Sequence, residues 1–218
     1  VPPAASLLGL VVVIVGSTWL VCRSLRSALP IEYTDGEIDP STGLLNRAAF
    51  EYHVHTLVGG YARAGDNFLV VLAISVDQLG LLAETEGPAA ARLARIGTAR
   101  AVRESVRRDA VVARPERDLF LVADVFAVSD TEPLTERIRA AIVSVPPRLT
   151  ASIGAAIMPV SGLAEQPPDL VVDHIVEAAT GALALARRNG GDQSRQRFCS
   201  APAWASGDGP VDDADDAP

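Results

Sequence analysis

The nine residues FLVVLAISV, Phe68 to Val76, constrain the fold more than any other stretch of the chain. They follow the turn-forming group Gly65, Asp66 and Asn67 and contain one polar side chain, Ser75. A run this short and this apolar reads as a strand buried within a sheet. Around it, apolar runs alternate with helical patterns. Arg47 to Ala64 reads as a helix capped by Asn46, with Leu57, Val58 and Tyr61 on one side. Ala89 to Arg107 reads as a second helix with an apolar stripe of Leu93, Ile96, Ala99 and Val106. Ala110 to Ala113 and Leu119 to Phe126 read as short strands joined through Arg114 to Asp118 as a hairpin. Glu132 to Val143 is a third helix, Leu149 to Pro159 a strand broken near Gly154, and Leu170 to Arg188 a fourth helix ending at Asn189 and Gly190. The expected fold class is therefore α/β (α+β), with one mostly antiparallel sheet flanked by helices.

A length of 218 residues suits one ordinary domain with a short appendage, and leaves any output of that domain to protein contact. Hydrophobic residues at 49% exclude disorder throughout, and aromatics at 5% require a core of Ala, Val, Leu and Ile. The net charge of -8 is uneven. Asp208, Asp212, Asp213, Asp215 and Asp216 load the tail, and Glu32, Asp35, Glu37 and Asp39 load a leading segment, so the middle is close to neutral and offers nucleic acid no basic field.

From Ala4 to Cys22 the chain carries no charge. At about 1.5 Å per residue it is long enough to cross a hydrocarbon layer of roughly 30 Å. Arg23 and Arg26 follow it, which places the remainder on the cytoplasmic side of an inner membrane. A cleaved signal peptide would need a basic leader and a small-residue cleavage site, and bulky Val21 before Cys22 argues against an acylated cysteine. The expected organisation is a transmembrane helix and basic flank at 1–26, an acidic linker at 27–38, a folded domain at 39–198 and an acidic, disordered tail at 199–218. Cys22 and Cys199 are too far apart in this layout to suggest a disulfide or a metal site.

The segment Asp39-Pro-Ser-Thr-Gly-Leu-Leu-Asn-Arg-Ala-Ala-Phe50 resembles the opening signature of the GGDEF domains, the diguanylate cyclases, written D-x-L-T-G-L-x-N-R-x-x-F. Further landmarks follow in the family's order: Val76-Asp77, the Arg-rich helix before Ala113-Arg114, Thr150 to Ala156, and Ala182 to Gly190. The resemblance spans roughly residues 39 to 198 and implies the palm-like sheet of nucleotide cyclases. It also implies a chemistry in which two GTP molecules meet across a homodimer, with cations held by carboxylates.

At the positions the resemblance assigns to that chemistry, this sequence departs from the family. The first metal-binding aspartate falls on Ser75, two residues before Asp77. The signature hairpin R-x-G-G-D-E-F falls on Arg114-Pro-Glu116-Arg117-Asp118-Leu119-Phe120, so the paired glycines are Glu116 and Arg117 and the catalytic glutamate is Leu119. The guanine readers fall on Ala83 and Arg92, and an expected lysine on Gly80. The inhibitory R-x-x-D places Arg107 correctly but puts Ala110 at its aspartate. Residual metal or phosphate contacts are expected, if anywhere, at Asp77, Asp118 and Arg187; an exposed acid beside Arg117 is the simpler role for Asp118, and a helix-dipole complement the simpler role for Arg187 and Arg188. His53 and His55 lie two apart on a helix and cannot share a metal, and His174 is isolated.

The expectation is a catalytically inactive GGDEF-like domain with no cofactor and no metal, anchored at the membrane and binding a protein partner in a membrane or cell-envelope complex. The resemblance admits a homodimer without requiring one and leaves nucleotide binding open. The alternatives are a non-catalytic sensor of GTP, cyclic-di-GMP or another nucleotide, and an active cyclase.

Overall fold

The structure, a computed structural model, describes residues 36–61, 67–161, 163 and 167–200. The membrane span expected at 4–22, the linker up to residue 35 and the tail from residue 201 lie outside these residues. Among the described residues, no helix is long and apolar enough to cross a membrane.

The elements in chain order are α1 (Arg47–Tyr61), β1 (Phe68–Val76), α2 (Leu79–Thr85), α3 (Pro88–Ser105), β2 (Val111–Glu116), β3 (Leu119–Phe126), α4 (Glu132–Val143), β4 (Ala151–Pro159), α5 (Pro168–Arg188) and β5 (Ser194–Phe198). They form one five-stranded sheet in the order β2-β3-β1-β4-β5. Every pairing is antiparallel except β4 with β5, which is parallel. The run that constrained the sequence reading thus sits at the centre, with Ile74 opposite Phe120 on one side and Ile153 on the other. A central strand is covered on both faces, which is why FLVVLAISV has no polar alternation.

The two faces have different partners. Val70, Leu72 and Ile74 of β1 join Phe120, Val122, Ile153 and Ile157 in a core closed by Val102, Ile138 and Ile142 from α3 and α4. On the opposite face, α5 lies across β4 and β1, and α1 lies across β2 and β3. Gly154 makes the α5 contact this close. A Cβ there would fall 2.1 Å from the Ala179 carbonyl oxygen and 2.2 Å from the Leu183 nitrogen, so helix backbone rests directly on strand backbone.

The structure corrects the sequence reading in several places. β4 runs unbroken through Gly154, because that glycine answers to helix packing rather than to a turn. On α3 the expected stripe is displaced: Leu93 is 69% exposed and Ile96 38%, while Ala91, Ala94, Thr98, Ala101 and Val102 join Ala99 on the buried face. Small side chains are selected there because the helix packs closely, with Gly97 against the Val145 side chain. On α1, Phe50, Val54 and Val58 carry the buried face, and Leu57 and Tyr61 lie at its margin. α2 was not foreseen; it is one short helix holding only Leu79 and Leu82 in the core. Neither was β5, the strand at the sheet edge, whose SRQRF sequence is polar because its side chains are left largely exposed. The hairpin turn is shorter than expected, since β2 continues to Glu116.

Gly154→Ala is expected to lower unfolding stability by about 2–3 kcal/mol in chemical denaturation through overpacking. Gly181→Ala on the open side of α5, where a Cβ meets nothing within 4 Å, is expected to leave stability unchanged or raise it by about 0.5–1 kcal/mol.

Candidate functional site

The end of β1, the β2–β3 hairpin, the start of β4 and the α5–β5 loop lie at one end of the sheet, and the turn before α1 is tied to the same end. That turn is built by Asp39. Its N–H donates to the Leu44 carbonyl at 2.7 Å, and its own carbonyl accepts from the N–H of Gly43 at 2.9 Å, where φ is +71°. Only a residue free of a Cβ adopts that φ without strain. The Asp39 carboxylate accepts from Ser41 Oγ at 2.8 Å, Thr42 Oγ1 at 2.5 Å and Arg114 Nη1 at 2.8 Å.

Arg114 then joins the turn to the hairpin, because its Nε and Nη2 donate to the Arg117 carbonyl at 3.1 and 2.8 Å. The backbone continues the join: Leu45 N–H donates to the Val112 carbonyl, and Arg114 N–H to the Leu45 carbonyl. Burial on its own would raise the Asp39 carboxyl, but the hydroxyls of Thr42 and Ser41 and the Arg114 guanidinium outweigh it and hold the group down at about 2. Asn46 and Arg47 complete the motif. Asn46 Oδ1 caps α1 through the Ala49 N–H at 2.9 Å, and Arg47 pairs with Glu51 and with Asp173 of α5.

The hairpin itself bulges between Ala113 and Glu116 and closes with Glu116 opposite Leu119. Glu116, Arg117 and Asp118 are exposed, and neither Arg117 nor Asp118 has positive φ. Phe120 is fully buried and anchors the returning strand. Asp118 is not a free acid: its carboxylate lies 2.8 Å from Arg95 Nε of α3.

Ser75 is buried, directly opposite Ser152 of β4. Asp77, expected as a residual cation contact, has both carboxylate oxygens engaged by the protein. Oδ1 accepts from Ser152 Oγ at 2.8 Å; Oδ2 accepts from Thr150 Oγ1 at 2.8 Å and from the Asp192 N–H at 2.9 Å. The side chain therefore latches the ends of β1 and β4 to the α5–β5 loop. Ala83 is half-buried against the core from α2, and Arg92 is exposed on α3. Arg187 is exposed in the last turn of α5. Among the described residues, no three His, Cys, Asp or Glu side chains are grouped to hold a metal ion.

Arg107 and Ala110 lie at the other end of the sheet. Arg107 grips Asp124 with Nε at 2.8 Å and Nη2 at 2.7 Å, donates to the Val125 carbonyl and sits 4.7 Å above the Phe126 ring. Asp124 is buried in β3, and sequence reasoning missed it. The signal was present: an acid inside LFLVADVF needs a buried partner. Ala110 is buried, and its carbonyl accepts from Arg103.

The model of the family described as diguanylate cyclase, GGDEF domain, matches residues 37–193. No functionally curated protein matches the sequence. Among solved structures, the chain is similar to diguanylate cyclase SiaD of Pseudomonas aeruginosa in complex with its activator SiaC, at 23% identity over 89% of this chain and 73% of that one, with a TM-score of 0.61. It is also similar to the GGDEF domain of DgcB of Caulobacter crescentus in complex with c-di-GMP, at 18% identity over 76% and 98%, TM-score 0.63. The FimX GGDEF domain of Pseudomonas aeruginosa gives 19% identity over 74% and 99%, TM-score 0.60. At these identities the likeness shows the fold.

Two measurements check the contacts described. Because the Asp39 carboxyl is held below its ordinary value of 3.8, its contribution to stability is complete above about pH 4 and is lost as pH falls through 2. The melting temperature of Asp39→Asn is therefore expected to lie below that of the parent above pH 4, with the gap closing toward pH 2. Asp77→Ala, which strands three donors, is expected to cost about 2–3 kcal/mol in denaturant unfolding, with the same difference whether or not magnesium is added.

Proposed function

The chain belongs to the GGDEF domain family of diguanylate cyclases, and from this premise we propose that it is a catalytically silent member that works by binding another protein. The reading is carried by one observation: each aspartate at the hairpin end of the domain is held by the protein's own groups. Asp39 serves Arg114, Asp77 serves Thr150, Ser152 and the Asp192 N–H, Asp118 serves Arg95, and Asp192 serves Arg139.

These residues do not fit the divalent cations the family's chemistry requires. A hard cation takes several oxygen ligands, preferably carboxylates, and here Ser75 and Leu119 supply none at the positions the family uses. Freeing Asp77 for a cation would undo the latch between β1, β4 and the loop after α5. Guanine recognition lacks hydrogen-bonding groups at Ala83, and Arg92 presents only donors. At the inhibitory position Ala110 offers no carboxylate, and Arg107 is already bound to Asp124.

What the domain retains is a rigid platform, and protein contact is the use this suits. One relative of the fold, SiaD, is described in complex with a protein activator. The uncharged run Ala4 to Cys22, followed by Arg23 and Arg26, would hold the platform at the inner face of a membrane, in reach of an envelope complex.

Purified full chain incubated with GTP and magnesium is expected to yield no cyclic-di-GMP, and neither nucleotide is expected to raise its melting temperature. A ligand at a hundred times its dissociation constant would add about 2.7 kcal/mol. Product above the no-protein control would overturn the reading, and a saturable thermal shift would convert it to nucleotide sensing.

A further inference from the structure

Four arginines near the α5–β5 junction hold no carboxylate among the described residues. Arg47, Arg95, Arg100, Arg107, Arg114 and Arg139 each hold a carboxylate. Arg187 and Arg188 in the last turn of α5, and Arg195 and Arg197 on β5, are exposed and have no acidic partner among the described residues.

The fold sets these four along one flank. The loop joining α5 to β5 is tied down, with Gly191 N–H on the Ala186 carbonyl at 3.2 Å and Gln193 Nε2 on the Asn189 carbonyl at 2.9 Å. In the β4–β5 register, Arg195 lies opposite Gly154 and Arg197 opposite Ala156. Opposed residues in paired strands point to the same face, and the Gly154 face is the one α5 covers. Arg195 and Arg197 therefore border the helix whose last turn carries the other two. A helix C-terminus accounts for Arg187 and Arg188 as dipole complements, but leaves Arg195 and Arg197 without a counter-charge.

The counter-charge is in the sequence that follows. Residues 199–218 contain no basic side chain and five aspartates, Asp208, Asp212, Asp213, Asp215 and Asp216. Asp208 is eleven positions beyond Arg197, a reach of roughly 36 Å when extended, against roughly 16 Å for the length of β5. The segment can therefore return along β5 to the end of α5. Covalent attachment gives its aspartates an effective concentration near the millimolar range, so individually weak exposed pairs add up without a separate binding event.

We propose that the acidic segment 208–216 docks on the surface formed by Arg187, Arg188, Arg195 and Arg197, as an intramolecular polyanion that an outside anion must displace. The proposal goes beyond the functional reading above and stands whether or not the domain turns over nucleotide.

Trp204 lies between β5 and the aspartates and reports the contact. In the full chain carrying Trp19→Phe, acrylamide quenching of Trp204 is expected to rise about twofold when salt is raised from about 0.01 M to about 1 M, as the screening length falls from about 30 Å to about 3 Å. The same rise is expected at low salt in a variant with all four arginines changed to Gln. A second variant, with the five aspartates changed to Asn, tests the contact without touching the folded domain and is expected to behave likewise. Quenching that ignores salt and both variants would overturn the proposal. So would exposure of Trp204 in the Asn variant alone, which would mean docking elsewhere. Protection that grows with protein concentration would assign the segment to a second copy and also overturn it, as would a surface that instead sediments with phosphatidylglycerol vesicles while Trp204 stays exposed.

Discussion

The guanidinium of Arg114 is the point on which this domain is organised. Its side chain is 11% exposed, too little for water to solvate a charge, so the chain must supply acceptors. It does so from two places far apart in sequence, the Asp39 carboxylate and the Arg117 carbonyl. Satisfying one cation thereby fixes the entry turn against the hairpin, adds Leu45 to the outer edge of β2 and aims α1 across β2 and β3. The Asp39-to-Phe50 signature is thus a set of structural instructions: a turn acid, a glycine at positive φ, a helix cap and an arginine reaching α5.

Legibility in the sequence followed burial. β1, β3 and α4 were read at their observed bounds, because their hydrophobic patterns are long and face a core. The polar edge strand β5 and the seven-residue helix α2 escaped, since neither is long enough to carry a clear periodic apolar signal. The stripe on α3 was misjudged for the opposite reason. Size alone would bury the large side chains, whereas close packing against Val145 and α4 selects alanine and glycine, leaving Leu93 and Ile96 outside. At the site, the identities of the substituted positions were readable from the resemblance, but the partners of Asp77 and Asp118 were not. Those partners come from β4, the α5–β5 loop and α3, brought together only by the fold.

Arg107 shows how a charge finds its partner through the fold rather than through sequence spacing. A motif that pairs arginine with an aspartate three residues on is read here as Arg107 and Ala110, yet the guanidinium is not idle. Asp124, from the far strand of the hairpin, takes both of its forks, and Phe126 stacks beneath it. Removing Arg107 would strand the buried Asp124 carboxylate, whereas Arg107 itself is half-exposed and would keep contact with water. The arginine is therefore explained without any ligand.

The hairpin tip has a different lesson. Arg117 and Asp118 turn the chain without a positive φ, and beyond the bulge between Ala113 and Glu116 the two strands keep their register. Architecture therefore places no claim on glycine at this tip. Bulky, charged side chains can stand at the exposed tip while every strand keeps its place, and whatever approaches this end of the sheet meets side chains before it meets backbone.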